Sequence, residues 1–126
     1  MAEASATNPY QAVVIDLDRT RTDTTPFRFR IKDENGVAIP NTGFTYKMEA
    51  NTAPDPADET NHKFQLTATG DGAAGTFSFN PTATNMNPVG IDTLYYDIEQ
   101  TDGAAKTRTI VRGVITINPN ITDAGL

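Results

Sequence analysis

The chain has a single histidine, His62, and two groups of carboxylates, Asp16, Asp18 and Asp23, then Asp55, Asp58 and Glu59. An imidazole can serve as base, acid or metal ligand near neutral pH. As a triad base it needs a nucleophile and an orienting acid around it, and in a zinc site it needs further nitrogen or sulfur ligands. The chain has no cysteine and no second histidine, and no motif sets a serine beside His62, so this residue reads as a surface histidine opening a strand next to a loop. Several carboxylates together suit calcium, which takes many hard oxygen ligands. Neither group has EF-hand spacing or the glycine-rich repeat of secreted calcium solenoids. Asp16 and Asp18, two apart on a strand, share one face beside Arg19 and Arg21, and read as a solvated charged face. A glycosidase needs two carboxylates poised across a cleft, and no pattern marks such a pair. Gly70, Gly72 and Gly75 fit G-x-G-x-x-G, but a dinucleotide fingerprint leads from a strand into a helix. Here TFSFN follows, which is a strand, so the glycines read as a hairpin turn. The row Arg28, Arg30 and Lys32 is expected to pair with carboxylates on neighbouring strands of its own sheet; an acidic partner is the alternative. The sequence therefore assigns no catalytic, cofactor-binding or metal-binding residue.

At 126 residues the chain is expected to form one domain. Its net charge of −6 argues against broad nucleic-acid binding, which needs a cationic face to displace counterions, and against an anionic membrane surface. Without cysteine no disulfide framework forms. The opening MAEASATNPYQ lacks the apolar run of a signal peptide, and no apolar stretch is long enough to span a bilayer. Synthesis in a cytoplasm is the expectation. Threonine is abundant, at 20 residues, and suits the exposed face of strands, where its branched carbon fits the pleat.

Alternation of apolar and polar residues supplies the elements. Residues 1–9 read as a flexible arm. YQAVVIDLD, Tyr10 to Asp18, reads as a strand with Val13, Ile15 and Leu17 on one face, and Arg19 to Thr25 as a polar loop or edge extension. In PFRFRIK, Phe27, Phe29 and Ile31 face one way and the cations the other, the mark of a half-buried antiparallel strand. Asp33-Glu34-Asn35-Gly36 closes a turn, and a short VAI segment ends at Pro40. GFTYKMEA alternates through Phe44, Tyr46 and Met48. Asn51 to Asn61 is a long loop. HKFQLTAT directs Phe64 and Leu66 inward, and TFSFN directs Phe77 and Phe79. Pro81 to Gly90 is a connection with room for one helical turn. TLYYDIEQ buries Tyr96 and Ile98, TDGAAK turns, and TRTIVRGVITIN buries Val111, Ile115 and Ile117, with Gly113 marking a bulge or close packing. The tail 119–126 reads as loose. Seven to eight strands with turns about every ten residues and no sustained helical period predict an all-β antiparallel sandwich over 10–118; a small barrel or jelly roll is the alternative.

The segment DTLYYDI, Asp92 to Ile98, sharpens that prediction. It resembles the start of strand F in immunoglobulin-type sandwiches, where a tyrosine two residues before the second core cysteine turns its hydroxyl onto upstream backbone. Ile98 stands at that cysteine's position. The D-x-N-G turn, G-x-F-x-F-x-P from Gly75 to Pro81, LYYDI, the D-G turn and the closing ITI together resemble small immunoglobulin-like domains of tailed-bacteriophage structural proteins. The pattern is similar in particular to the N-terminal domain of baseplate upper proteins and to related short tail or neck proteins. The resemblance covers roughly residues 10 to 118.

It implies an immunoglobulin-like domain in a non-enzymatic virion building block, an adaptor or decoration subunit in tail, baseplate, neck or capsid surface. Its implied partners are other virion proteins and copies of itself, with no nucleic acid, membrane or cofactor. The alternative function is a carbohydrate-binding or adhesin-like sandwich. Sugars stack on exposed aromatic rings, and Tyr10 and Tyr95 are the rings outside the core alternation.

Overall fold

The computed structural model describes residues 4–6, 12–53, 62–88 and 90–119. Nine strands and no helix occur among them: β1 (Ala4–Ala6), β2 (Val13–Val14), β3 (Leu17–Thr20), β4 (Phe27–Ile31), β5 (Thr45–Asn51), β6 (His62–Thr69), β7 (Thr76–Phe79), β8 (Thr93–Thr101) and β9 (Thr107–Asn118). They form two sheets. The smaller has the order β1-β4-β7; the larger has six strands, β2-β9-β8-β5-β6, with β3 also paired to β9. The inner faces of both sheets share one apolar core, as the all-β sandwich expectation requires.

Period two explains the core directly. Phe27 and Phe29 on β4 lie opposite Phe79 and Phe77 on β7. The Phe29 ring stacks on Phe77 at 5.5 Å between centroids and meets Phe79 edge-on at 6.2 Å. Tyr46 from the larger sheet stacks on Phe77 at 3.7 Å, which joins the layers. Phe27, Phe29 and Phe79 are fully buried, and burying such a ring contributes about 1.5–3 kcal/mol. Leu94, Tyr96 and Ile98 alternate inward along β8, and Val111, Ile115 and Ile117 along β9. The expected inward residues Phe64, Phe77 and Met48 are buried, whereas Phe44 and Leu66 are half-buried.

Four core residues lay outside the expected set: Ala50 and Leu94, which continue the inward rows of β5 and β8, and Ile110 and Met86, which follow no alternation. Ile98 pairs with Val111 but Glu99 pairs with Thr109, so Ile110 is the extra residue of a bulge, and it is buried alongside Val111. Met86 is fully buried in the connection after β7, where its N–H donates to the Thr82 carbonyl at 3.2 Å in a single helix-like turn.

The first predicted strand differs. Tyr10 lies outside the described residues, and Val13 to Thr20 forms two short strands that both run parallel to β9. The break falls at Ile15–Asp16, opposite Gly113. A Cβ at Gly113 would sit 2.1 Å from the Ile15 carbonyl oxygen. The missing side chain is therefore what admits the edge backbone at the break. β3 then continues through Arg19 and Thr20, as the edge-extension reading of Arg19 to Thr25 expects.

The predicted hairpin at Gly70 to Gly75 is also corrected. β6 belongs to the larger sheet and β7 to the smaller, so this segment is a corner that crosses between layers. A Cβ at Gly70 would lie 2.0 Å from the Asn41 carbonyl, so the corner closes against the 41–44 turn only with glycine there. Asp55, Asp58, Glu59, most of the long loop at 51–61, arm residues 1–3 and 7–9, and the tail after Pro119 lie outside the described residues.

Candidate functional site

Asp16 and Asp18, predicted to share a solvated face, are both exposed and bond to separate partners. Asp16 accepts the Val114 N–H at 3.1 Å, and Asp18 accepts the Asn118 amide. Asp23 accepts the Thr25 N–H at 2.8 Å and its hydroxyl at 2.6 Å; those bonds hold its pKa below the usual carboxylate range. Asp16 and Asp18 thus tie the edge backbone to β9, while Asp23 caps its own loop.

Arg19 and Arg21 are not part of a solvated face. Arg19 shares the inward row with Leu17, is 8% exposed, and lays its guanidinium 4.6 Å from the Phe27 ring centroid. Its Nη1 donates to the Asp18 carbonyl at 2.9 Å, and burial, the leading cause, lowers its pKa. Arg21 donates to the carbonyls of Pro88 and Ile91 at 2.8 and 2.9 Å, so it fastens the connection into β8. Its cation therefore holds backbone in place, a use that alternation alone does not reveal.

His62 opens β6 in register with Asn51. On the outer side of the smaller sheet, Arg28 lies opposite Ser78 and Arg30 opposite Thr76, while Lys32 bridges Ala38. Among the described residues, the positions directly opposite these cations are hydroxyl and small residues where carboxylates were expected. An ion pair, Lys47 with Glu49 at 3.9 Å, is exposed on the other sheet, where such pairs contribute little.

Two buried tyrosines carry the polar chemistry of the core. Tyr96 donates its hydroxyl to the Ile15 carbonyl. The expected bond to upstream backbone is present, but its acceptor is on the edge strand, far away in sequence. Tyr46 donates to Gln100 Oε1 and accepts from Asn41 Nδ2, both at 3.1 Å. Asn41 is fully buried; its Nδ2 also donates to the Thr76 carbonyl at 3.1 Å, and its Oδ1 accepts the Gly72 N–H at 2.9 Å. Gln100 continues the inward row of β8 and was legible by parity. Asn41 was not, because it follows Pro40 outside any alternating run. Burial pushes the Tyr46 hydroxyl up to about 12 and raises Tyr96 further in the same direction, so both stay protonated as structural donors.

The accessible surface of interest is the outer side of the larger sheet. One shallow groove of 760 Å³ is lined by threonines of β5, β6, β8 and β9 together with Lys47, Gln65 and Glu99. A second, of 360 Å³, holds Tyr95 with Glu49, Asn51, Asp97 and Arg112. Asp97 faces Glu49 across β5 and Arg112 across β9. Desolvation first, then Glu99 and Glu49, raises its pKa. Glu49 and Asp97 stand side by side on one sheet face, so the arrangement offers hydrogen bonds and mixed charge to a docking surface. Among the described residues no group of three or more His, Asp or Glu side chains is placed to hold a metal ion. No protein-family model matches this chain, and no curated protein matches it.

Proposed function

We propose that this chain is a structural subunit of a tailed-bacteriophage virion, with an immunoglobulin-like sandwich that works by protein–protein contacts as an adaptor or decoration subunit. The reading is carried by where the motifs of the resemblance fall. LYYDI lies on β8 between β5 and β9, the G-x-F-x-F-x-P segment forms β7 against the Phe-rich β4, and the ITI segment ends β9. Such a layout supports an immunoglobulin-like order, with the tyrosine-bearing strand at the centre of one sheet and an aromatic pair in the other. The broad hydroxyl-rich face of the larger sheet suits a wet, polar contact with neighbouring subunits. The subunit is made in the host cytoplasm, incorporated into the particle, and needs no cofactor. Mass spectrometry of purified virions should find this chain at a copy number matching the particle's symmetry; virions without it would overturn the reading.

One observation favours the carbohydrate-binding alternative. Tyr95 is half-buried and shares its groove with two carboxylates, an amide and an arginine, a donor and acceptor set suited to sugar hydroxyls. Specific glycan-array binding abolished by Tyr95→Ala would replace the structural reading with that one; a blank array would remove it.

A further inference from the structure

Any open sheet ends in strands whose outward N–H and C=O groups can pair with another chain, and proteins blunt such edges with charges, bulges, prolines or brevity. Among the described residues the larger sheet ends at β2–β3 on one side and at β6 on the other. The first edge uses charge and brevity. It is broken at Ile15–Asp16, its pieces have two and four residues, Asp16 and Asp18 flank it, and Arg19 points inward. The smaller sheet ends in β1 and β7, of three and four residues.

β6 differs from all of these. It is eight residues long; its first two positions, His62 and Lys63, include a cation and a register shift against β5, but from Phe64 to Thr69 the register is unbroken, and Gln65–Thr69 has no charge, glycine or proline. Gln65, Thr67 and Thr69 are exposed on the outer face. No strand among the described residues pairs with its outer side. A groove of 510 Å³ runs along that side between β6 and β7, lined by Thr67, Ala68, Thr69, Thr76 and Ser78 among others.

We propose that β6 is a self-association edge: two copies pair β6 to β6, antiparallel, about a two-fold axis normal to the sheet, making one continuous sheet across both. The occupant follows from the segment's self-complementarity. Residues opposite each other in an antiparallel pair share a face, so the axis must pass through a residue, which keeps outward positions against outward ones. With the axis at Thr67, Gln65 meets Thr69, Leu66 meets Ala68, and Thr67 meets itself. Threonine pairs of this kind stabilise sheets, and like charges directly opposite destabilise them; this register contains the first and none of the second. An isologous two-fold contact of this kind closes on itself, so it yields a dimer and not a fibre.

The pairing gives the structural-subunit reading its first contact surface and rests on that reading for its biological setting, yet the two fail separately. Purified protein that dimerises through β6 but is absent from virions sinks the reading alone; a virion protein whose β6 does not self-pair sinks the pairing alone.

The test uses the full chain, which has no cysteine of its own. Opposite residues in an antiparallel pair lie about 4.5–5.5 Å apart between Cα atoms, within disulfide reach. Thr67→Cys should therefore cross-link to a covalent dimer under mild oxidation at least ~10-fold faster than Thr45→Cys, exposed on the adjacent β5, because pairing raises the effective thiol concentration. Sedimentation velocity of the unmodified chain should show a concentration-dependent dimer that Thr67→Lys returns to monomer with an unchanged melting temperature. Equal cross-linking of the two cysteine variants, or a dimer indifferent to Thr67→Lys, would overturn the proposal.

Discussion

The two edges of the larger sheet are built on opposite plans. At β2–β3 the backbone is broken, pinned and charged: Gly113 admits Ile15, Tyr96 bonds its carbonyl, Asp16 takes an N–H of β9, and Arg19 turns inward. At β6 the ladder with β5 is regular from Phe64 to Thr69, and the nearby tyrosine, Tyr46, in register with Ala68, spends its hydroxyl inside on Asn41 and Gln100. One tyrosine therefore holds an edge strand in place, while the other fastens the core and contributes no bond to its edge. An edge held by a few specific contacts should be sensitive to single changes; an edge held by a uniform ladder should tolerate them.

The sharpest way to break that contrast is Gly113→Ala. The added carbon would fall 2.1 Å from the Ile15 oxygen, so the edge must detach or β9 must shift. Overpacking of this kind costs roughly 3 kcal/mol, read as a lower denaturation midpoint in urea. A loss below ~1 kcal/mol would show that the edge gives way freely.

Alkaline titration probes both tyrosines together. A phenol whose folded pKa lies above its unfolded value of about 10 stabilises the fold fully below that pH. As pH rises, the unfolded chain gives up its proton first, so stability falls until the folded pKa is passed. For Tyr46 the window runs from about 10 to about 12, and the loss is on the order of 2 kcal/mol. Tyr96 shifts the same way. Stability that stays flat over this range would mean that the hydroxyls are not held as donors.

Tyr96→Phe separates the edges more finely. It leaves the ring in the core and removes only the bond to Ile15, for an expected loss of about 1–1.5 kcal/mol. Hydrogen exchange should quicken at the Ile15 amide, which donates to Arg112, and stay unchanged along β6. The smallest effect belongs to Gln65→Lys, an exposed change on the regular edge, expected within ~0.5 kcal/mol in the monomer.

The reach of the sequence can be followed residue by residue. Phe27, Phe29, Phe77, Phe79, Tyr96 and Ile98 were readable as core because alternation is a local property of the pleat. The turn at Asp33 was readable as well: Asp33 Oδ1 takes the N–H groups of Asn35 and Val37, and Gly36 adopts φ of +81°. The turn at Asp102 has the same bonds, to Ala104 and Lys106, yet the left-handed position falls on Ala105 at φ +63°. The D-G pair marked the turn, and the closing hydrogen bonds decide which of its residues takes the left-handed position. As for the candidate surface, Tyr95 stood out by parity, whereas the residues that line its groove come from three strands and could be collected only once those strands were paired.

Period-two alternation, the aromatic rows and the turn residues were set by the sequence alone, because each depends on a few neighbouring residues and the geometry of one strand. Tertiary structure decided that the Gly70–Gly75 corner crosses between sheets, that Arg19 lies over Phe27, that Tyr96 reaches Ile15, and that β6 is left as the long regular edge. Those outcomes depend on which distant backbones approach one another, and a contact such as Gly113 against Ile15 has no signature in either segment until the two strands lie side by side.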